Sequence, residues 1–446
     1  MVEGPMLLLI LVLAIAFIIL MTAKLKMSAF LVLLVTALGT ALATGMSPIR
    51  AIQVTLEGFG GLITNVGVVI ISGTIIGTFL EKSRATLTMA NFVLSLISKA
   101  HTALAMTLTG LITSCTVFCD SGFIIFSPLN KVLSKKAGIS LTTMTVALSL
   151  GLGISHHMIP PAAGPIAAAA NIGADLGLVI MFGFLTAIPA VIVVYFWSNW
   201  IGRKVYTEAN VDISAAPDQE TDLPPVLRSF LPILVPILLI SLRSIGNLPS
   251  HPFGEGNVKV LFDAVGIPSM AMLIGVLFAF RLIPRWSVEY INGWVNEGIR
   301  NSALTLAITA AGGAFGYVLR DSQIGNYLGQ SLAHFNIGIF LPFLIASALK
   351  IAQGSGTVAL ITASAIVGPM LADLGFNTPA EQALVVTAIG AGSIVMSHAN
   401  DSYFWVVSQF SDLDVDVVYK AHSVGTLILG LTSMGFIFLL SLVVTN

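Results

Sequence analysis

The chain has 446 residues, of which 56% are hydrophobic and only 9% charged, against roughly 25% charged in a soluble domain. Twenty basic and 21 acidic residues leave a net charge of -1, so no global field draws the chain to nucleic acid or to an acidic surface. With a mean hydropathy of +0.96, these figures exclude a soluble enzyme, a disordered chain and a peripheral protein. They also exclude a transmembrane barrel, whose strands alternate around a polar lumen, and they predict an all-α polytopic membrane protein.

Met1 to Pro5 carries an acid and no basic residue, so the pattern of a cleavable signal is missing. The first apolar run, Gly4 to Ala23, is uncharged and long enough to span. Lys24 and Lys26 follow it, which predicts a periplasmic N-terminus and a cytoplasmic first turn. Apolar runs of spanning length lie near 5–23, 28–45, 60–80, 102–118, 140–158, 178–200, 229–245, 264–280, 301–319, 338–352, 381–397 and 421–445, about twelve spans. Segments near 85–100 and 323–337 are weaker and read as short or interfacial helices. The Gly/Ser-rich pieces 119–130 and 353–370 are too interrupted for simple spans and read as re-entrant hairpins or broken helices, the hairpins near 119–138 and 353–372. Cys115 and Cys119, inside an apolar stretch, read as buried small hydrophobes rather than a metal or redox pair.

One linker stands out, 205–225, with Glu208, Asp212, Asp218, Glu220 and Asp222, no basic residue, and Pro224-Pro225 at its end. Arg203 and Lys204 before it and Arg228 after it place it in the cytoplasm. It divides the chain into membrane repeats 1–204 and 226–446. Gly73, Gly77, Leu80 and Ser83 match Gly312, Gly316, Leu319 and Ser322 at an offset of 239. Ser121-Gly122 matches Ser355-Gly356 at 234, and Ser155-His156 matches Ser397-His398 at 242. A first half that starts outside and ends inside has an odd number of crossings. The second half is then inverted, the layout of secondary transporters with broken helices at the midplane.

An ionisable residue within a membrane span is costly and is a functional candidate by default. Asp120 lies in Cys119-Asp120-Ser121-Gly122-Phe123, where an N-cap role is compatible with a functional one. His156 and His157 precede Pro160-Pro161-Ala162-Ala163-Gly164-Pro165, a run that must break a helix. His398 and Asp401 lie in Ser397-His398-Ala399-Asn400-Asp401-Ser402-Tyr403, which also fits an interfacial turn. In Gln353-Gly354-Ser355-Gly356-Thr357, glycines admit close backbone approach and a helix start offers free amides to an anion. Asn65 reads as a helix–helix hydrogen bond. Lys350 reads first as a snorkelling side chain, with counter-charge to an anion as its alternative.

At these motifs the chain resembles the gluconate permease family, bacterial gluconate:proton symporters whose relatives include a D-serine transporter. The resemblance spans essentially the whole chain. It is carried by Phe118 to Phe123, by Ser155-His156 through Pro160-Pro161 to Gly164-Pro165, by Ala352 to Ala359, and by Ser397 to Ser402 with Phe404-Trp405. It implies a multi-pass carrier of the bacterial cytoplasmic (inner) membrane, related to an ion-transporter group with re-entrant hairpins and elevator-type motion, working as a homodimer. The chain departs from the family pattern at Asp120, where Glu is frequent, at Ala162-Ala163, where His-Pro is frequent, and at Tyr403, where Gly is common. The mechanism expected from this resemblance is proton-coupled uptake of a sugar acid or small hydroxycarboxylate. Ser121, Gly122, Ser355, Gly356, Thr357, Asn400 and Ser402 would hold the substrate, and Asp120, His156, His398 or Asp401 would carry the proton. No metal or cofactor is expected beyond the proton motive force. Rival readings are sodium coupling, D-serine or another organic anion as substrate, a channel, and a membrane-embedded metal hydrolase using His156, His157 and His398. The last is opposed by the absence of an HExxH motif.

Overall fold

The computed structural model describes residues 2, 4–98, 101–210, 223–247, 252–253, 256–325, 327 and 337–444. Linker residues 211–222 and most of the 323–337 segment therefore lie outside the described residues. Among the described residues every regular element is helical. The helices of the first half are α1 (Pro5–Ile19), α2 (Ala29–Ala43), α3 (Pro48–Lys82), α4 (Ala85–Leu96), α5 (Thr102–Thr113), α6 (Cys119–Ala137), α7 (Leu141–Met158), α8 (Ala163–Ile172) and α9 (Leu176–Lys204). Those of the second are α10 (Val226–Gly246), α11 (Asn257–Val265), α12 (Pro268–Ala279), α13 (Val288–Asp321), α14 (Phe340–Gln353), α15 (Gly356–Val367), α16 (Pro379–Ser393) and α17 (Ser402–Ser411). The short α18 (Val415–Val418) then runs through a π turn into α19 (Val424–Val444).

Among the described residues six helices are long and apolar enough to cross a membrane: Pro5–Thr22, Pro48–Lys82, Leu176–Lys204, Val226–Gly246, Val288–Asp321 and Val415–Val444. The bent pair α11 and α12, at 73°, would make a seventh. The runs expected as single spans at 102–118, 140–158, 338–352 and 381–397 are α5, α7, α14 and α16. Each ends at a buried break, at Ser114, Ile159, Gly354 and Ile394. Of these, α5, α14 and α16 have only 12, 14 and 15 residues, short of the roughly 20 that a crossing needs. The two interrupted pieces each adjoin or contain a break. Residues 119–137 form one continuous helix despite Pro128, and the irregular backbone lies just before it, at 114–118. In the second piece it is confined to Gly354 and Ser355.

The longest helices, α3 and α13, have 35 and 34 residues. At about 1.5 Å per residue each is ~50 Å long, well beyond the ~30 Å hydrocarbon layer. Ser47 caps α3 through the Arg50 amide, with Pro48 at the first helical position, and Ser287 caps α13 through the Glu289 amide. Both end at a serine followed by a residue in the left-handed region, Arg84 at φ 60° and Gln323 at φ 62°. They cross closely because Gly58 faces Gly313: a Cβ on Gly58 would stand 2.8 Å from the Gly313 carbonyl oxygen, and one on Gly313 would stand 2.4 Å from the Leu62 side chain. Against this pair pack α2, α10 and α12, with α1 on the far side packing on α2. A second group, α5 to α8 with α14 to α17, packs on α9 and α19 and meets the long pair through α8 and α15. At its centre α7 and α16 are buried on all sides.

Element starts recur along the chain. Ala29 and Pro268, Pro48 and Val288, Thr102 and Phe340, Cys119 and Gly356, Leu141 and Pro379, Ala163 and Ser402, and Leu176 and Val415 each open helices, and every pair is 237 to 240 residues apart. The sequence match at 73–83 and 312–322 keeps this register. The other two do not. Ser121-Gly122 lies in the first turn of α6, whereas Ser355 is the N-cap of α15 and has Phe118 as its counterpart. Ser155-His156 lies in the last turn of α7, whereas Ser397-His398 lies in the loop after α16.

The close crossing yields a test. Gly313→Leu is expected to lower stability by about 1–3 kcal/mol through overpacking, read as a lower unfolding midpoint of the purified protein in detergent. An unchanged midpoint would contradict the crossing.

Candidate functional site

Three helices begin around one cavity of about 150 Å³. A single water needs only ~10–15 Å³ by a comparable measure, so the space suits a small organic molecule. Phe118, Cys119 and Asp120 open α6, Ser355, Gly356 and Thr357 open α15, and Asp401, Ser402 and Tyr403 open α17, and all nine line the cavity. His156, His157 and Lys350 complete it. A fourth start, that of α8 at Ala162 and Ala163, lines an adjoining space of about 10 Å³, and Phe118 and His156 border both. The first amides of a helix have no intrahelical acceptor and carry the positive end of its dipole. Four such ends make the region receptive to anions. Phe118 and Ala162 give their helices no side-chain cap, whereas Ser355 accepts from the Val358 amide at 3.3 Å and Asp401 from the Tyr403 amide at 3.1 Å.

Lys350 is the feature that sequence reasoning placed wrongly. It does not snorkel: its side chain is 3% exposed and its Nζ donates to Asp401 Oδ2 at 2.5 Å and to the Gly354 carbonyl. Ser397 Oγ donates to the same carboxylate oxygen at 2.5 Å. Asp401 is accordingly not an interfacial turn residue but the buried partner of a cation. Removing one member of such a pair would leave a buried charge without compensation, at about 3–5 kcal/mol. The available signal was isolation. Between Asp321 and Asp373, Lys350 is the only Lys, Arg, Asp or Glu, and it stands four residues before a Gly-Ser-Gly break.

The remaining expected residues divide. Asp120 enters the cavity, with Ser402 Oγ 3.5 Å from its Oδ2. His156 Nε2 lies 3.3 Å from Thr357 Oγ1. His157, which was not among the expected proton carriers, donates from Nδ1 to the Gly153 carbonyl at 2.9 Å and turns its other nitrogen toward Gly356. Gly356 and Gly354 are glycine for space. A Cβ on Gly356 would stand 2.2 Å from His157 Nε2, and one on Gly354, at φ +86°, would stand 2.2 Å from the Asn400 carbonyl oxygen. Ser121 is not among the residues lining the cavity, and Gly122 packs on Leu152. His398 and Asn400 face the end of α14 instead, donating to the Ile351 carbonyl at 3.0 and 2.9 Å. His398 therefore does not join His156 and His157, and among the described residues no three His, Cys, Asp or Glu side chains gather as metal ligands. Both cysteines are free and buried, and Cys119 touches the cavity. Asn65 opens onto a separate cleft of about 350 Å³ beside Glu57, Asn171 and Arg320, rather than into a helix–helix contact.

The sequence matches the family described as GntP family permease over residues 6–443. An uncharacterized permease of Haemophilus influenzae is 32% identical over 424 residues, 91% of this chain and 86% of its own. A gluconate permease of Pseudomonas aeruginosa is 30% identical over 437 residues, 95% of each chain. Among solved structures, MtrF of Neisseria gonorrhoeae, described with a class of antimetabolite efflux pumps, is similar with a TM-score of 0.70 at 14% identity, over 94% of this chain and 96% of that one. A likeness at that identity shows a shared fold. With matched length, apolar helices and helix breaks gathered in one interior, the chain belongs to the GntP family of permeases: it is a multi-pass membrane transporter and not an enzyme.

Proposed function

We propose that this permease carries gluconate or a related sugar acid across the bacterial cytoplasmic membrane together with a proton. The observation that carries the reading is the 150 Å³ cavity in which three helix starts meet the buried ammonium of Lys350. Amide dipoles and a cation suit a carboxylate. Hydroxyls of Ser355, Thr357 and Ser402 suit the alcohols of a sugar acid, and the name of the Pseudomonas relative points to the same class. Asp120, Asp401 and His156 line the same space, so a proton can be taken up beside the anion. Desolvating a carboxylate is costly unless its charge is matched, which gives the loaded carrier an advantage in crossing when a proton travels with it. No other prosthetic group is part of this reading.

The same reading includes two inverted repeats, 1–204 and 226–446, joined by a cytoplasmic linker at 205–225. The recurrence of helix starts at 237 to 240 residues supports the duplication. The long α3 and α13 would form the fixed scaffold of a homodimer. The group α5 to α8 with α14 to α17 would move as the transport domain, carrying its re-entrant hairpins and the cavity.

Two results are expected. Purified protein should melt at a higher temperature with gluconate or another sugar acid, more so at low pH, since a ligand of the folded state stabilises it by mass action. In proteoliposomes an inward pH gradient should drive accumulation. A shift with D-serine alone would move the substrate to an amino acid, and accumulation driven only by a sodium gradient would replace the proton. Gly356→Ala should weaken binding at least tenfold, about 1.4 kcal/mol, while leaving the helical circular dichroism intact, because its methyl meets His157 and the Ser393 carbonyl. Wild-type affinity in that variant would show that the start of α15 does not touch the substrate.

A further inference from the structure

The pair Lys350 and Asp401 is both buried, at 3% and 7% exposure, and part of the cavity wall. A purely structural ion pair has no need to face the cavity. An ammonium has three N–H donors. Two of them reach Asp401 and the Gly354 carbonyl, which leaves one for the space between the helix starts. Asp401 is tied more completely. Its Oδ2 accepts from Lys350 and Ser397 and its Oδ1 accepts from the Tyr403 amide. The other titratable groups facing the pair are Asp120 and Cys119 from α6, His156 and His157 from α7 and Tyr403 from α17, with His422 behind the Tyr403 ring at 5.5 Å. None of them is a second cation in contact with Asp401: its salt bridge is with Lys350.

We propose that Lys350 is exchanged between Asp401 and the substrate carboxylate, and that the coupled proton goes to Asp401 as Lys350 leaves it. The proposal rests on the reading of this chain as a proton-coupled carrier of organic acids and names the groups that couple the two. When the arriving carboxylate takes the ammonium, Asp401 would be a buried anion without its cation. Such a group is neutralised rather than left charged. The charge balance is then closed. The empty pair carries one positive and one negative charge. The loaded pair carries the ammonium, the substrate anion and a neutral Asp401, again summing to zero. One proton therefore enters with each monovalent acid, and the cycle moves no net charge. Ser397, which donates to Asp401 Oδ2, can rotate its hydroxyl to accept from the protonated acid.

The test uses the full chain in proteoliposomes, with gluconate as the probe. For the wild type, gluconate affinity should fall roughly tenfold per pH unit on the alkaline side, the slope for one linked proton. An imposed potassium-valinomycin potential should leave the uptake rate unchanged. Asp401→Asn should bind gluconate with no pH slope. It should exchange internal for external gluconate yet fail to accumulate it down a pH gradient. Asp120→Asn should keep the wild-type slope. Because a lone buried charge can prevent folding, the paired neutral variant Lys350→Met with Asp401→Asn is made as well. It should elute and melt as a folded protein and lose gluconate binding by at least tenfold. A wild-type pH slope in Asp401→Asn, gluconate binding retained in the paired variant, or wild-type uptake driven by the imposed potential would each overturn the exchange. A wild type that binds gluconate with a pH slope lost in Asp120→Asn would overturn it too, while leaving proton-coupled transport in place. A wild type that binds neither gluconate nor any other sugar acid would remove the underlying reading and the exchange with it.

Discussion

Backbone amides and carbonyls without partners cannot face hydrocarbon, and this constraint organises the molecule. A helix inside a bilayer can stop only where its free ends meet protein or an internal cavity. In this chain the breaks after α5, α7, α14 and α16 are all buried, and the helices that follow all start in one interior region. Once the breaks are gathered, the polarity of the site follows from the backbone. Helix starts present donors, and their dipoles add a positive field that owes nothing to the side chains. The positive field of this interior is thus a consequence of where its helices start.

Side chains then refine that field. Lys350 concentrates positive charge in a single buried donor, and Asp401 holds it in place while capping α17. His157 is oriented by the carbonyl of Gly153 one turn earlier and leaves room only for glycine at 356. Asn400 and His398 clip the loop before α17 to the end of α14 through the Ile351 carbonyl. They hold the two broken segments together from outside the cavity, and so support Lys350 and Asp401 without sharing their space.

The crossing of α3 and α13 shows the complementary use of small residues. Between lipid-soaked helices little hydrophobic force is available, so close approach has to come from surfaces without side chains. Gly58 and Gly313 provide it at the crossing of α3 and α13. The result is a long, well-fitted pair against which the group of broken helices packs through α8 and α15.

Composition and apolar run length by themselves determined the helical class and the membrane setting, because a chain with so few charges can satisfy its backbone in lipid only by helices. Proline and glycine runs such as Pro160-Pro161 and Gly354-Ser355-Gly356 also marked breaks, since these residues cannot continue a helix on their own. Asp120, His156, Thr357 and Ser402 stood out in the sequence because polar groups in apolar runs are rare, and the fold gathers them around one cavity. Where the apolar runs break, and that the breaks are gathered in one interior, was decided by tertiary structure, since apolar composition alone does not fix a helix end. So was the outward turn of Asn400 and His398, and so was the spacing at which helix starts recur, from which two of the small-residue matches depart by a few positions. Most of all, only the packing of α14 against the loop before α17 shows that Lys350 is buried beside Asp401. A lysine near the end of an apolar run is equally suited to reach outward to water or inward to a carboxylate, and its partner lies 51 residues away.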